Sequence, residues 1–306
     1  MDHVLNLREP LALTVRKGES LETLLIELRQ KGLELEPAWI QWAVLTGAYK
    51  DLKEGDYLLP VGITSRGLID RLFDGRSRYQ PLTVVEGATF RDFLEKVRHH
   101  PNLRHELDGK TPEDIMVLLG EPGVPPEGLF FPDTYFTSLL SSDLDILRKA
   151  RRKMAKVLAK EWAQRDPALP IESDYQALIL ASIIEKETGQ ADERPAIAGV
   201  FVRRLMSGMR LQTDPSVIYG LGLGFDGDIR REDLRRDTPY NTYTRSGLPP
   251  TPIALPGLAA IHAALHPEAG SSLYFVAKGD GRHVFSSTLS EHEHAVDQYQ
   301  RSRKKK

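Results

Sequence analysis

One stretch constrains this chain more than any other: residues 174–189, DYQALILASIIEKETG. Its centre, from Ala177 to Ala181 with Ile183 and Ile184, is apolar on nearly every side of a helix. A helix that is apolar all round is buried, so the rest of a domain must wrap around this one. Its end is polar: Glu185, Lys186, Glu187 and Thr188. Residues three or four apart share a helix face, so Ser182, Glu185 and Thr188 form a narrow polar stripe, while Glu187 projects from a different face. A carboxyl leaving a buried helix has its charged form disfavoured, which suits a general acid near neutral pH. The alternative reading of the same residues is a helix end with a solvated Glu-Lys-Glu run.

The preceding residues are organised in smaller pieces. Residues 11–15 read as a strand, and Ser20 as the cap of an amphipathic helix over 21–31 that Gly32 closes. A second helix is expected over 36–46, a strand over 55–60 and a short helix over 65–75. Strand, helix, helix, strand resembles a LysM-like module, a small fold often used to bind glycans; a spacer without a ligand fits the same pattern. The run Thr83 to Phe90 echoes Thr14 to Leu21, and Pro126 to Phe130 echoes Lys53 to Tyr57. These echoes predict a divergent internal duplication. The aromatic segment from Glu127 to Phe136 carries Pro132, which fits an edge strand or loop. Such a segment reads equally as the floor of a sugar groove or as core. Residues 144–164 read as a long helix with a basic outer face.

After the central helix, a further helix over 194–206 leads into Gln212, Thr213, Asp214, Pro215 and Ser216. Then come Tyr240, Asn241, Thr242 and Tyr243, followed by the proline-rich run 247–257. Proline-limited polar segments hold side chains in fixed loops, and the last run reads as the wall of a cleft. Asp214 reads either as a ligand contact or as the cap of a helix beginning at Pro215. The chain has no cysteine, which excludes disulfides, thiolate metal sites and a cysteine nucleophile. It lacks a zinc-protease helix motif, a phosphate loop and a serine elbow. His292 and His294 read as a surface pair on a terminal helix. No metal or cofactor is expected. A net charge of −2 gives no basic field for nucleic acid. What remains is one semi-buried carboxyl among amide, hydroxyl and aromatic groups, a set suited to carbohydrate.

At these positions the chain resembles the endolytic murein transglycosylase family, MltG-like or YceG-like. The resemblance rests on Ala181 to Thr188, Gly208 to Pro215 and Tyr240 to Tyr243, with 247–250, Glu127-Gly128 and Phe131 to Tyr135. It covers about residues 10–300. It implies an α+β fold: a LysM-like α/β module over 1–78, then a larger catalytic domain over 79–306. Within the latter, 79–140 is the possible repeat and 141–306 the catalytic core.

The implied activity is non-hydrolytic cleavage of the bond between N-acetylmuramic acid and N-acetylglucosamine inside nascent glycan strands. It leaves 1,6-anhydro-muramyl ends and terminates strand elongation. The matching catalytic position is Glu185, as acid toward the glycosidic oxygen and then as base toward the sugar's own 6-hydroxyl. Ser182 and Thr188 are expected to orient it. Gln212, Thr213, Asp214, Tyr240, Asn241, Thr242 and Tyr243 are expected to hold the sugar. Glu187 is the rival acid, expected on another face and paired with Arg203 or Arg210. Implied partners are peptidoglycan glycan strands and peptidoglycan synthases. The implied place is the periplasmic face of the cytoplasmic membrane, through an N-terminal membrane helix that this chain lacks. Two other readings stay open: a non-catalytic glycan-binding scaffold, and a muramidase-type hydrolase with Asp214 as second carboxylate.

Overall fold

The computed structural model describes residues 3–16, 18–33, 52–74, 80–101, 103–137 and 141–301. They fall into two compact units. The first comprises Met1–Leu82, Lys96–Asp108 and Thr134–Ile146; the second comprises Thr83–Glu95, Gly109–Asp133 and Leu147–Lys306. Among the described residues, helices and three two-stranded sheets make the fold mixed α and β. Among the described residues, no helix is long and apolar enough to cross a membrane.

In the first unit, β1 (Leu11–Val15) pairs antiparallel with β2 (Gly55–Leu59), with Leu13 opposite Tyr57. Helix α1 (Leu21–Gln30) starts where Ser20 Oγ accepts the Thr23 N–H at 3.1 Å. That contact satisfies one of the helix's orphan donors. Leu24 and Leu28 are fully buried against Leu13, Val15 and Leu59. Helix α2 (Ser65–Asp74) adds Leu68 and Leu72 to this core. The helix expected over 36–46 and the end expected at Gly75 lie outside the described residues. Strand β3 (Gln80–Thr83) pairs with β4 (Thr134–Thr137). Pro132 precedes β4 in a loop, where its missing N–H is harmless.

Helix α3 (Phe90–Arg98) opens on a reciprocal cap: Asp92 N–H donates to Thr89 Oγ1 at 3.2 Å and Thr89 N–H to Asp92 at 2.9 Å. Helix α4 spans Pro112–Leu118 and the long α5 spans Asp143–Ala163. The second unit is built on α6 (Asp174–Glu187), capped by Ser173. From Ala177 to Ile184 no residue is more than 4% exposed. Helices α7 (Arg194–Met206) and α10 (Leu258–Leu265) cover it. The short α8 (Asp214–Leu221) and α9 (Arg231–Arg235) follow α7. A hairpin, β5 (Tyr274–Ala277) with β6 (His283–Ser286), and α11 (Leu289–Val296) complete the unit.

Candidate active site

Helix α6 ends at Glu187 because Thr188 turns extended, at φ −143 and ψ 135. The stripe on its last turns is occupied by protein. Ile253 N–H donates to Ser182 Oγ at 3.0 Å, and Ser182 donates to Ile179 O. Gly257 N–H donates to one oxygen of Glu185 at 2.9 Å, and Arg194 donates to the other at 2.9 Å. Both partners of that ion pair are buried, at 5% for Glu185 and 9% for Arg194. Burial raises the Glu185 pKa, against the Gly257 amide and the Arg194 charge. Ser182 and Glu185 therefore tie the proline-rich run to α6. A Cβ at position 257 would meet the carboxylate end of Glu86, a half-exposed side chain that would have to swing aside.

Glu187 lies on the other side and lines a cavity of about 460 Å³ with Arg204, Gln212, Asp214, Tyr243 and His283. Thr213 Oγ1 donates to its carboxyl group. Burial pushes the Glu187 pKa up to about 7; the Asp214 charge adds to the rise, and Thr213 and Arg204 oppose it. The expected pairing with Arg203 or Arg210 does not occur. Arg203 donates to Ser272 O at 2.8 Å and Glu268 O at 3.0 Å, and Arg210 to Tyr243 O at 3.0 Å. These carbonyls lie at loop positions that no helix-face argument reveals.

The structure sorts the residues expected to hold the sugar. Gln212, Asp214 and Tyr243 line the Glu187 cavity. Asp214 does not cap α8. It is the first helical residue, and Tyr243 O–H donates to it at 2.5 Å. Gln212 sits at φ +51, a left-handed conformation that costs a non-glycine residue and is typical of functional loops. Thr213 and Thr242 are buried and build the loop: Thr213 N–H donates to Thr242 Oγ1 at 3.0 Å. Asn241 is fully buried, and its amide donates to carbonyls of Asp233, Leu234 and Arg236, closing α9. Thr188 is buried and accepts the Gln190 N–H.

Tyr240 belongs to a second cavity, of about 910 Å³, with Glu127, Tyr219, Lys186, Arg91 and Ile218. Glu127 is 7% exposed and accepts from Phe90 N–H at 2.9 Å and Tyr219 O–H at 3.1 Å. Burial raises its pKa to about 7.

Arg204 and His283 of the first cavity carried no sequence signal. Arg204 is held by Leu273 O at 2.7 Å and Leu211 O at 2.8 Å. His292, expected at the surface, stacks on Tyr274 with ring centroids 5.2 Å apart. The hairpin brings it there, and nothing local in the sequence reports a hairpin's docking. One trio elsewhere, Glu161, His262 and His266, has potential metal-ligand atoms within 4.8 Å of one another. Its groups already satisfy one another and nearby carbonyls, with His262 on Glu161 at 2.8 Å and His266 on Gln164 O at 2.7 Å.

In the second unit one helix is buried, and the last carboxyl group on it opens into a polar cavity. The chain belongs to the YceG-like family, whose sequence model matches residues 13–298. It is 30% identical over 96% of its length to the endolytic murein transglycosylase of Bacillus subtilis, covering 86% of that protein. It is 28% identical over 94% of its length to the protein of the same name from Streptococcus pneumoniae, of which it spans half. The crystal structure of a yceG-like protein from Listeria monocytogenes superposes with a TM-score of 0.60 at 30% identity, covering 94% of this chain and 99% of that one.

Proposed function

We propose that this chain is an endolytic lytic transglycosylase that cuts peptidoglycan glycan strands between N-acetylmuramic acid and N-acetylglucosamine. The observation that carries the reading is a carboxyl group with a raised pKa at a polar cavity, in a chain 30% identical to an endolytic murein transglycosylase. A carboxyl protonated near pH 7 is what a general acid toward a glycosidic oxygen needs.

Two carboxyls compete for this role. Glu185 fits the sequence expectation, but both of its oxygens are already bonded and it pairs with a buried guanidinium. The Arg194 charge and the Gly257 amide oppose the rise that burial drives in its pKa, and they leave neither oxygen turned to an open cavity. Glu187 lines the cavity beside Gln212, Asp214 and Tyr243, the groups expected to meet a sugar. This geometry supports Glu187 as the acid and Glu185 as the tie for the cleft wall. Glu187 gives its proton to the glycosidic oxygen as the C1–O bond breaks. The muramyl 6-hydroxyl then attacks C1 in place of water. The internal nucleophile gains a large proximity advantage.

The reading extends to the finer expectations. The N-terminal module over 1–78 is LysM-like, as glycan binder or as spacer, and the enzyme works on nascent strands beside the synthases, anchored at the periplasmic face of the cytoplasmic membrane.

The test is mass spectrometry of purified glycan strands after incubation with wild type, Glu187→Gln and Glu185→Gln. Anhydro-muramyl ends from wild type, lost in Glu187→Gln and retained in a folded Glu185→Gln, are expected. Reducing muramyl ends would replace the reading by a hydrolase, and loss in Glu185→Gln alone would return the acid role to that residue. Binding without cleavage would support a scaffold.

A further inference from the structure

The attacking 6-hydroxyl must give up a proton, and a second group stands in the same cavity. His283, the first residue of β6, lines it together with Glu187. Its ring is held from behind. Glu193 accepts the His283 backbone N–H at 3.0 Å and the ring Nδ1–H at 2.8 Å. Both side chains are largely buried, at 11% for His283 and 10% for Glu193. Phe275 of the partner strand meets the ring edge-on at 5.4 Å between centroids. A neutral imidazole that donates through Nδ1 carries its lone pair on Nε2. That nitrogen has no partner among the described residues. A carboxylate behind the ring also stabilises the imidazolium that forms when Nε2 takes a proton.

We propose that His283 is the base of the transglycosylation, oriented by Glu193, and that Glu187 acts as acid only. The inference rests on the transglycosylase reading above. In this reaction the Glu187 proton goes to the glycosidic oxygen, which leaves with the electron pair of the C1–O bond as a free hydroxyl. The muramyl O6 forms the new bond to C1, and its proton goes to Nε2 of His283. Glu187 ends as carboxylate and His283 as imidazolium. Proton return from one to the other resets the site, with no water consumed.

The charged and titratable surroundings of His283 are Glu193 behind it and Arg282 beside it in the chain. Arg282 lies 3.9 Å from Glu193 and bonds Asp192 at 2.9 Å. Lining the same cavity are Glu187, Arg204 and Asp214, with Tyr243 and His292.

The deciding experiment is the pH profile of kcat/KM for anhydro-end formation on purified glycan strands. One carboxyl acting as both acid and base gives a profile that only falls with rising pH. An acid plus a neutral imidazole gives a bell. A bell is expected for wild type. His283→Asn should lower kcat by about 100-fold and abolish the ascending limb. Glu193→Gln loosens the partner that orients the ring, so it should lower kcat about tenfold and leave KM unchanged. A purely structural Glu193 would not split kcat from KM in this way. A one-sided wild-type profile, which needs no variant to fold, overturns the proposal. So does a folded His283→Asn within about threefold of wild type, a loss well short of what general-base catalysis contributes. If wild type forms no anhydro ends, the transglycosylase reading itself has failed; anhydro ends with a one-sided profile leave that reading standing and remove only this one.

Discussion

The Thr213 hydroxyl donates a hydrogen bond to the Glu187 carboxyl, joining the end of α6 to the residue just before α8. Thr213 is itself buried, and its backbone N–H is held by Thr242 Oγ1 at 3.0 Å. The contact holds the Glu187 carboxyl in place and restrains the rise of its pKa, which burial drives.

Thr213→Val should therefore move the descending limb of the pH–rate profile upward by about one pH unit, because a hydrogen bond to a charged group is worth about 1.5–3 kcal/mol and part of it is lost on protonation. The rate below that limb should fall as the carboxyl loses its fixed orientation. A limb that stays in place would show that this hydroxyl does not tune the acid.

Glu127 links the second cavity to stability. Its carboxyl has an ordinary value of 4.5 and is held at about 7 in the folded protein. Between those values the folded state binds more protons than the unfolded chain, so stability falls as pH rises from 4.5 to 7 and levels off above. The full effect is on the order of 3 kcal/mol. Glu127→Gln should shrink the difference in Tm between pH 5 and pH 8. Glu187, raised in the same direction, leaves part of the slope in that variant. An unchanged slope would mean that Glu127 is not held protonated.

The buried Glu185–Arg194 pair should behave as a structural tie. Arg194→Met strands a buried carboxylate and should cost about 3–5 kcal/mol in urea denaturation. Combining it with Glu185→Gln should recover more than about 1 kcal/mol relative to the sum of the single changes. Strict additivity would show that the two groups do not support each other.

Much of the helical frame was legible along the chain. The apolar core of 174–184 predicted a buried helix, and Ser20 and Gly32 predicted the ends of α1. The motif loops were legible too, since Gln212, Asp214 and Tyr243 do line one cavity. Roles within the loops were less so. Asn241 and Thr242 looked like sugar ligands because their side chains can hydrogen-bond, yet both spend those bonds on the backbone and on neighbouring hydroxyls. A polar residue in a loop shows only that a bond is wanted.

The sequence by itself determined the helix that must be buried, the polar segments that follow it and the two carboxyls at its end. Periodicity and proline fix these locally. It could not decide between Glu185 and Glu187. They lie two residues apart on one helix and face opposite ways, and the helix alone does not say which face is open. The tertiary structure decided that by laying 253–257 over one face and leaving the other to a cavity. It also brought His283 and Glu193, ninety positions apart, into contact. Such pairs depend on how a hairpin docks on a helix end, which is set by long-range packing and leaves no periodic trace in the chain.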